Sequence, residues 1–158
     1  MADLGAGTGY FSMRLARAVG RSGTVYAVET EPALVEHLRT RAEREQSDNL
    51  VPVLASFDNP RLPHGGIDLL LIVDTFHHID DRLSYFTEAR ALLAPGGRVA
   101  ILDWKKKDLP VGPGLNHKLA RAQVVGEMER AGYALADEST DLPYQYFLIF
   151  TAQARPAR

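Results

Sequence analysis

The chain has 158 residues, of which 46% are hydrophobic and 24% are charged, and its formal net charge is −2. This length and composition predict one globular domain over residues 1–158, and the near-neutral charge gives no reason to expect a nucleic-acid partner. The lack of cysteine excludes disulfides and thiolate metal sites, and the lack of a long apolar run or a secretory pattern leads us to expect a cytoplasmic protein without a membrane span.

The apolar pattern predicts strands and helices in alternation. Strands are expected, in chain order, over residues 1–4, 24–28, 50–54, 67–73, 98–102, 133–138 and 144–151. The helices are predicted over 9–19, from a cap at Thr30 with Pro32 in the first turn, from a cap at Asp80 or Asp81 to a stop at 95–97, and over 121–131.

The spacing of apolar residues predicts which face of each helix is buried. The expected inward residues are Phe11, Leu15, Ala18 and Val19 in the first helix, and Leu83, Phe86, Ala89 and Leu93 in the third. Strands and helices that alternate in this way form an α/β fold, a doubly wound and mostly parallel sheet with helices on both faces. Because no helix separates the last two strands, we expect the last strand to be antiparallel.

A glycine-rich loop follows the first strand. Gly5, Gly7 and Gly9 let the backbone come close to a ligand, and the helix that follows directs free N–H groups and a positive dipole end toward the loop. Such a loop is a seat for a small anionic group, a carboxylate or a phosphate.

Acidic residues stand where three further strands end. Glu29 closes the second strand, Asp58 lies just beyond the third, and Asp74 closes the fourth. The carboxyl ends of parallel strands share one edge of the sheet, so we expect these residues to meet the glycine loop there, with Glu29 placed to grip a ribose diol. A dinucleotide loop reads Gly-x-Gly-x-x-Gly, but its third glycine position is occupied by Tyr10, which disfavours a nicotinamide-dependent oxidoreductase.

Several motifs in order resemble the class I S-adenosylmethionine-dependent methyltransferases. The matching stretches are 3–9, 28–29, 74–79 and 93–98. Among members of that family, the chain is most similar to small-molecule methyltransferases of the ubiquinone-biosynthesis kind. The resemblance implies a Rossmann-like seven-stranded sheet of order 3-2-1-4-5-7-6, S-adenosylmethionine as the cofactor, and a small-molecule acceptor that the sequence does not identify.

The resemblance also implies a role for each matching residue. Gly5, Gly7 and Gly9 would follow the methionine part of the cofactor, Asp3 would hold its ammonium group, Glu29 would bind the ribose hydroxyls, Asp58 or else Ser56 would meet the adenine edge, and Asp74 would lie beside the sulfonium. If the acceptor carries a proton, His77 or His78 is the candidate base. The scattered histidines lack the spacing of metal ligands, so no metal site is predicted.

Members of the family usually carry helices before the first motif, and these helices cover the cofactor. Here the motif follows directly on Met1. We therefore expect an upstream continuation, a partner chain or second copy that supplies the lid, or a domain that binds the cofactor with little turnover. The alternative to an enzyme is a non-catalytic or partner-dependent subunit that binds S-adenosylmethionine.

Overall fold

The computed structural model describes residues 1–153. It contains one seven-stranded sheet in the order β3-β2-β1-β4-β5-β7-β6. The strands are β1 Ala2–Leu4, β2 Val25–Glu29, β3 Leu50–Leu54, β4 Ile67–Val73, β5 Leu93–Trp104, β6 Tyr133–Ser139 and β7 Gln145–Ala152. The helices are α1 Tyr10–Val19, α2 Pro32–Arg44, α3 Arg82–Ala89 and α4 Arg121–Arg130.

Strand directions confirm the expected topology. β1 pairs in parallel with β2 on one side and with β4 on the other. β7 runs antiparallel to both β5 and β6. Strand order therefore reverses at the boundary between β1 and β4, which is where ligands bind in open α/β sheets.

The two faces of the sheet carry separate apolar clusters. One face packs against α1 and α2 around Met13, Leu38 and Val25. The other packs against α3 and α4 around Phe86, Met128 and Ile101. Parallel strands covered on both sides explain why β4 is an almost unbroken apolar run.

The predicted inward face of α1 was right in part. Leu15 and Val19 pack against the apolar cluster on that side of the sheet, but Ala18 is exposed, and the fully buried residues are Ser12, Met13 and Ala16. The hydroxyl of Ser12 donates a hydrogen bond to Asp3 Oδ2 at 2.5 Å inside the protein. An apolar pattern does not register this polar contact.

The predicted end of the third helix, at residues 95–97, was wrong. Helix α3 ends at Ala89, and β5 already begins at Leu93 and runs through the Pro-Gly-Gly segment. A Cβ on Gly97 would lie 2.6 Å from Ile67 O, so glycine permits the close approach of β5 to β4. The inward residue near the start of the helix is Tyr85, 8% exposed, whereas Leu83 is 44% exposed.

Helix caps were predicted with mixed success. Asp81 caps α3, accepting a hydrogen bond from Ser84 N–H at 3.0 Å. At α2 the N-cap residue is Glu31, not Thr30. The backbone N–H of Thr30 donates instead to Glu29, which turns the chain at the end of β2.

Within residues 1–153, no helix is long and apolar enough to cross a lipid bilayer. The same residues contain no cluster of three or more histidine, aspartate or glutamate side chains arranged to hold a metal ion.

Candidate functional site

A cleft of about 880 Å³ lies along the carboxyl edge of the sheet. It runs from the glycine loop, past the ends of β2 and β3, to the segment after β4 and the first turns of α3. The residues that line it are Leu4, Gly5, 28–30, 55–59, Asp74, Thr75, 78–81, Ser84, Tyr85 and Glu88. Five of the predicted site residues therefore share this cavity: Gly5, Glu29, Asp58, Asp74 and His78. Four others lie outside its lining: Asp3, Gly7, Gly9 and His77.

The glycine loop has a backbone that other residues rarely adopt. Gly5, Gly7 and Gly9 all have positive φ, at 76°, 54° and 82°. A Cβ on Gly5 would stand 2.5 Å from Thr75 Cγ2, and one on Gly9 would stand 2.6 Å from Leu38 Cδ2. Gly7 has no neighbour within 4 Å of such a position. The loop is therefore tightly packed against neighbouring side chains at Gly5 and Gly9, whereas there is open space beside Gly7.

Glu29 is held at the mouth of the cleft by backbone donors. Its Oε2 accepts a hydrogen bond from Gly7 N–H at 3.0 Å, and its Oε1 accepts one from Thr30 N–H at 2.7 Å. The carboxylate therefore joins the glycine loop to the end of β2 with a fixed orientation. Oε1 also accepts from the Thr30 hydroxyl and the Glu31 N–H, whereas Oε2 has a further lone pair for a ligand hydroxyl.

Asp3 lies beneath the loop. It is 2% exposed, and burial raises the pKa of its carboxyl, against the lowering effect of the Ser12 hydrogen bond. A carboxylate kept from water at this depth destabilises the fold unless a cation pairs with it. Its contact with a ligand ammonium stays a prediction.

We expect Asp3→Asn to raise the unfolding midpoint at about pH 7 by about 2–4 °C, the shift that about 1 kcal/mol gives in a domain of this size. The folded-state pKa is raised, so ionisation of Asp3 lowers stability once the pH exceeds the ordinary carboxyl pKa. The gain should shrink as the pH falls toward about 4, where the unfolded chain also keeps this proton. Thermal unfolding of both chains across this range measures it. Asp108→Asn, at an exposed position, is the control; an equal gain there would contradict the explanation.

The segment after β3 presents an acceptor and an aromatic ring. The hydroxyl of Ser56 donates to Asp58 Oδ1 at 2.7 Å, and this bond lowers the pKa of Asp58. The side chain of Phe57 lines the cleft although 85% of the residue is exposed. A carboxylate beside an exposed aromatic ring suits a flat heterocycle that carries a donor group.

Asp74 is held in an unusual conformation at the end of β4. Its φ is +51°, and its Oδ1 accepts a hydrogen bond from Gln145 Nε2 at 2.8 Å. Burial raises the pKa of Asp74. Gln145 begins β7, and because β7 is antiparallel its first residue lies at the same edge as the carboxyl ends of the parallel strands.

The two adjacent histidines have different surroundings. The His77 side chain is 4% exposed, and its Nδ1 lies 2.9 Å from Oδ1 of Asp103, a residue with no exposed surface. The backbone N–H of His77 donates to Asp103 Oδ2 at 3.2 Å. His78 is exposed and lines the cleft, and burial followed by the charge of His77 lowers its pKa.

An aspartate on Nδ1 fixes the neutral imidazole as the tautomer with its proton on Nδ1, which leaves Nε2 as an acceptor. The contact with Asp103 therefore fixes the tautomer of His77, whose ring is almost fully buried beside the cleft-lining His78, with ring centroids 4.1 Å apart. His78 has access to the cleft but no orienting partner among residues 1–153.

Sequence reasoning missed four residues of this region: Phe57, Tyr85, Asp103 and Gln145. Asp103 stands near the end of β5, so the rule that placed Asp74 at the functional edge applies to it as well. Gln145 and Tyr85 carry no such signal, because their positions depend on the direction of β7 and on the rotation of α3.

The cleft is strongly acidic. Six carboxylates line it, those of Glu29, Asp58, Asp74, Asp80, Asp81 and Glu88. No lysine or arginine belongs to the lining formed by residues 1–153. The field of such a cleft attracts a ligand that carries positive charge.

Comparison with known proteins gives a family match. A family model described as "Methyltransferase domain" matches residues 1–97, which include the glycine loop, Glu29, Asp58, Asp74 and both adjacent histidines.

Individual relatives and a solved structure agree with this match. The chain is 26% identical over 110 residues to a ubiquinone/menaquinone biosynthesis C-methyltransferase of Hahella chejuensis, covering 69% of this chain and 44% of that protein. It is 29% identical over 127 residues to the 27-O-demethylrifamycin SV methyltransferase of Amycolatopsis mediterranei, covering 79% and 45%. The chain thus spans less than half the length of these two relatives.

A methyltransferase crystal structure from Aquifex aeolicus, described as SAM-dependent, superposes with a TM-score of 0.90 at 23% identity, covering 94% of this chain and 79% of that one. At this identity the likeness establishes a shared fold.

Proposed function

This chain belongs to the class I S-adenosylmethionine-dependent methyltransferases, and we propose that its cleft binds S-adenosylmethionine and directs the methyl group to a small-molecule acceptor. The observation that carries the proposal is the junction of glycine loop and Glu29. The Gly7 N–H and the Thr30 N–H orient this carboxylate at the end of β2, where a ribose diol would donate to it.

The charges of the cleft fit this cofactor. S-adenosylmethionine carries a sulfonium and an ammonium group, and the lining contributes six carboxylates without a lysine or arginine among residues 1–153. Gly5, Gly7 and Gly9 would follow the methionine part, Asp58 would accept from the adenine amino group, and Asp74 would lie beside the sulfonium. Asp3 would face the ammonium group from beneath the loop. When bound, the cofactor supplies an electrophilic methyl group with a good leaving group.

The chain's own residues supply orientation and a route for a proton. We assign the general base to His77, whose ring packs against the cleft-lining His78, and we assign Asp103 as its positioning residue. Nε2 of His77 would take the proton from an acceptor hydroxyl, amine or carbon acid as the new bond to the methyl carbon forms. Asp103 would stabilise the imidazolium that results.

Small-molecule acceptors are supported by the relatives named above, which act on quinone and rifamycin precursors according to their names. Location in the cytoplasm, and a partner chain or second copy that covers the cleft, stay predictions.

We expect Glu29→Gln to weaken binding of S-adenosylhomocysteine by about 10- to 100-fold, because a charged acceptor of two hydroxyl donors contributes about 1.5–3 kcal/mol. Isothermal titration calorimetry measures it. Glu31→Gln, at an exposed position two residues along, should bind as the unaltered chain does. Equal affinity for Glu29→Gln, or tight binding of NAD with no response to S-adenosylhomocysteine, would contradict the proposal.

Turnover separates the enzyme from the alternative, a subunit that binds the cofactor without catalysis. Incubation with methyl-labelled S-adenosylmethionine and a panel of quinols, phenols and amines should give a labelled product. Binding without product in the full panel would favour the non-catalytic subunit.

A further inference from the structure

A tyrosine hydroxyl faces the cleft without a partner. Tyr85, on the first turns of α3, is 8% exposed and belongs to the lining. Its ring packs edge-on against Phe86, with centroids 5.3 Å apart. Within residues 1–153, the hydroxyl makes no hydrogen bond, whereas that of Tyr133 donates to Phe86 O at 3.0 Å in the core.

The hydroxyl of Tyr85 is accessible from the cleft. The fully buried side-chain atoms without a hydrogen-bond partner in residues 1–153 are Arg90 Nε and Tyr146 Oη, and the Tyr85 oxygen is not one of them. A side chain this buried, with its polar end left open toward a cavity, loses a hydrogen bond unless a ligand or water supplies one. Tyr85 therefore marks a point where the cleft offers an unused donor.

The carboxylate of Asp58 belongs to the same cleft lining as Tyr85. Burial, and then the charge of Asp58, raise the pKa of Tyr85, so the phenol keeps its proton and acts as a donor. The Ser56 hydroxyl lowers the pKa of Asp58, so that group is an ionised acceptor. The segment after β3 and the helix α3 thus present an acceptor and a donor to the same space.

We propose that Tyr85 is a specificity residue for the nucleobase, donating to a ring nitrogen of the adenine whose amino group donates to Asp58. This inference rests on the proposed function. Adenine carries a 6-amino donor next to ring-nitrogen acceptors, and a 6-oxopurine carries an oxygen acceptor at that place. The Asp58 acceptor beside the Tyr85 donor matches adenine, whereas the same acceptor placed at the 6-position would repel the oxygen of a 6-oxopurine.

The test is calorimetry with three probes: S-adenosylhomocysteine and its 1-deaza and 7-deaza analogues, each lacking one ring nitrogen beside the amino group. We expect Tyr85→Phe to weaken S-adenosylhomocysteine binding by about 5-fold, the worth of one net hydrogen bond. In the unaltered chain, one of the two analogues should bind about 5-fold more weakly than S-adenosylhomocysteine. In Tyr85→Phe, that analogue and S-adenosylhomocysteine should bind with equal affinity.

The matched control is Tyr133→Phe, which also removes one tyrosine hydroxyl. It breaks the internal bond to Phe86 O, so its unfolding midpoint should fall while its affinity for S-adenosylhomocysteine stays unchanged. Tyr85→Phe should keep the native midpoint, which separates ligand recognition from a structural role.

The outcomes distinguish a failure of this inference from a failure of the proposed function. If the unaltered chain binds S-adenosylhomocysteine and Tyr85→Phe binds it equally well, the inference is overturned and the proposed function is untouched. If each deaza analogue is weakened in binding by the same factor in the unaltered chain and in Tyr85→Phe, the inference is overturned as well. If the unaltered chain does not bind S-adenosylhomocysteine, both fail.

Discussion

Gly5→Ala should lower the free energy of unfolding by about 3 kcal/mol and weaken S-adenosylhomocysteine binding by about 100-fold. The added Cβ would lie 2.5 Å from Cγ2 and 2.8 Å from Cβ of Thr75, in a backbone conformation with φ of +76°. Thr75 cannot rotate away freely, because it is β-branched and its hydroxyl donates to Val73 O at 2.9 Å. The loop must therefore shift, and Gly7 with its bond to Glu29 must shift with it.

Thermal unfolding and calorimetry measure the two effects of Gly5→Ala. The comparison variant is Gly7→Ala, which has the same left-handed strain but no atom within 4 Å of the added Cβ. Its stability should fall by only about 1–2 kcal/mol. Thr75→Ala in the Gly5→Ala background removes the nearest side-chain atoms and should restore part of the stability. Equal losses in the two glycine variants, with no recovery, would show that packing against Thr75 is unimportant.

His77→Gln should lower kcat by about 100- to 1,000-fold, the usual contribution of a positioned base, with little change in S-adenosylhomocysteine affinity. The measurement uses methyl-labelled S-adenosylmethionine and the acceptor that gives turnover in the panel. The expected cofactor contacts are made by other residues, among them Glu29 and Asp58, so the loss of His77 should appear in kcat and not in cofactor binding. His37→Gln, at an exposed position in α2, should be indistinguishable from the unaltered chain.

The pH dependence of kcat tests whether His77 acts as a base. A base must be neutral to accept a proton, so the profile of kcat against pH should show an acid limb, and this limb should be absent in His77→Gln. Asp103→Asn should also lower kcat, and it should alter the limb, because the carboxylate that stabilises the imidazolium is gone. If His78→Gln removes turnover and the acid limb while His77→Gln keeps both, the assignment of the base is wrong.

The acidic edge of the candidate site and its glycine loop could be predicted because their signals are local. The glycine spacing of 5, 7 and 9 needs only a strand before it and a helix after it, and both are visible in the apolar pattern. Glu29 and Asp74 end strands, and Asp58 follows one closely, so a parallel sheet brings them to one edge. The structure places Gly5, Glu29, Asp58 and Asp74 in one cleft as this reasoning expects.

The apolar stripe was only partly right about the helices. It predicted that Leu83 and Ala18 face inward, but Leu83 is 44% exposed and Ala18 is exposed as well. In α1 the buried position is taken by Ser12, which donates to the buried carboxylate of Asp3. Periodicity counts apolar residues alone, so it cannot predict a buried polar pair.

The sequence by itself determined the order of strands and helices, the glycine loop and the acidic strand ends, because each depends on residues close together in the chain. Only the tertiary structure decided which histidine is oriented, which tyrosine opens to the cleft and what holds Asp74. The His77–Asp103 and Gln145–Asp74 contacts join residues 26 and 71 positions apart. Such pairs exist only after the sheet is assembled and β7 enters it in the antiparallel direction, so no local pattern encodes them.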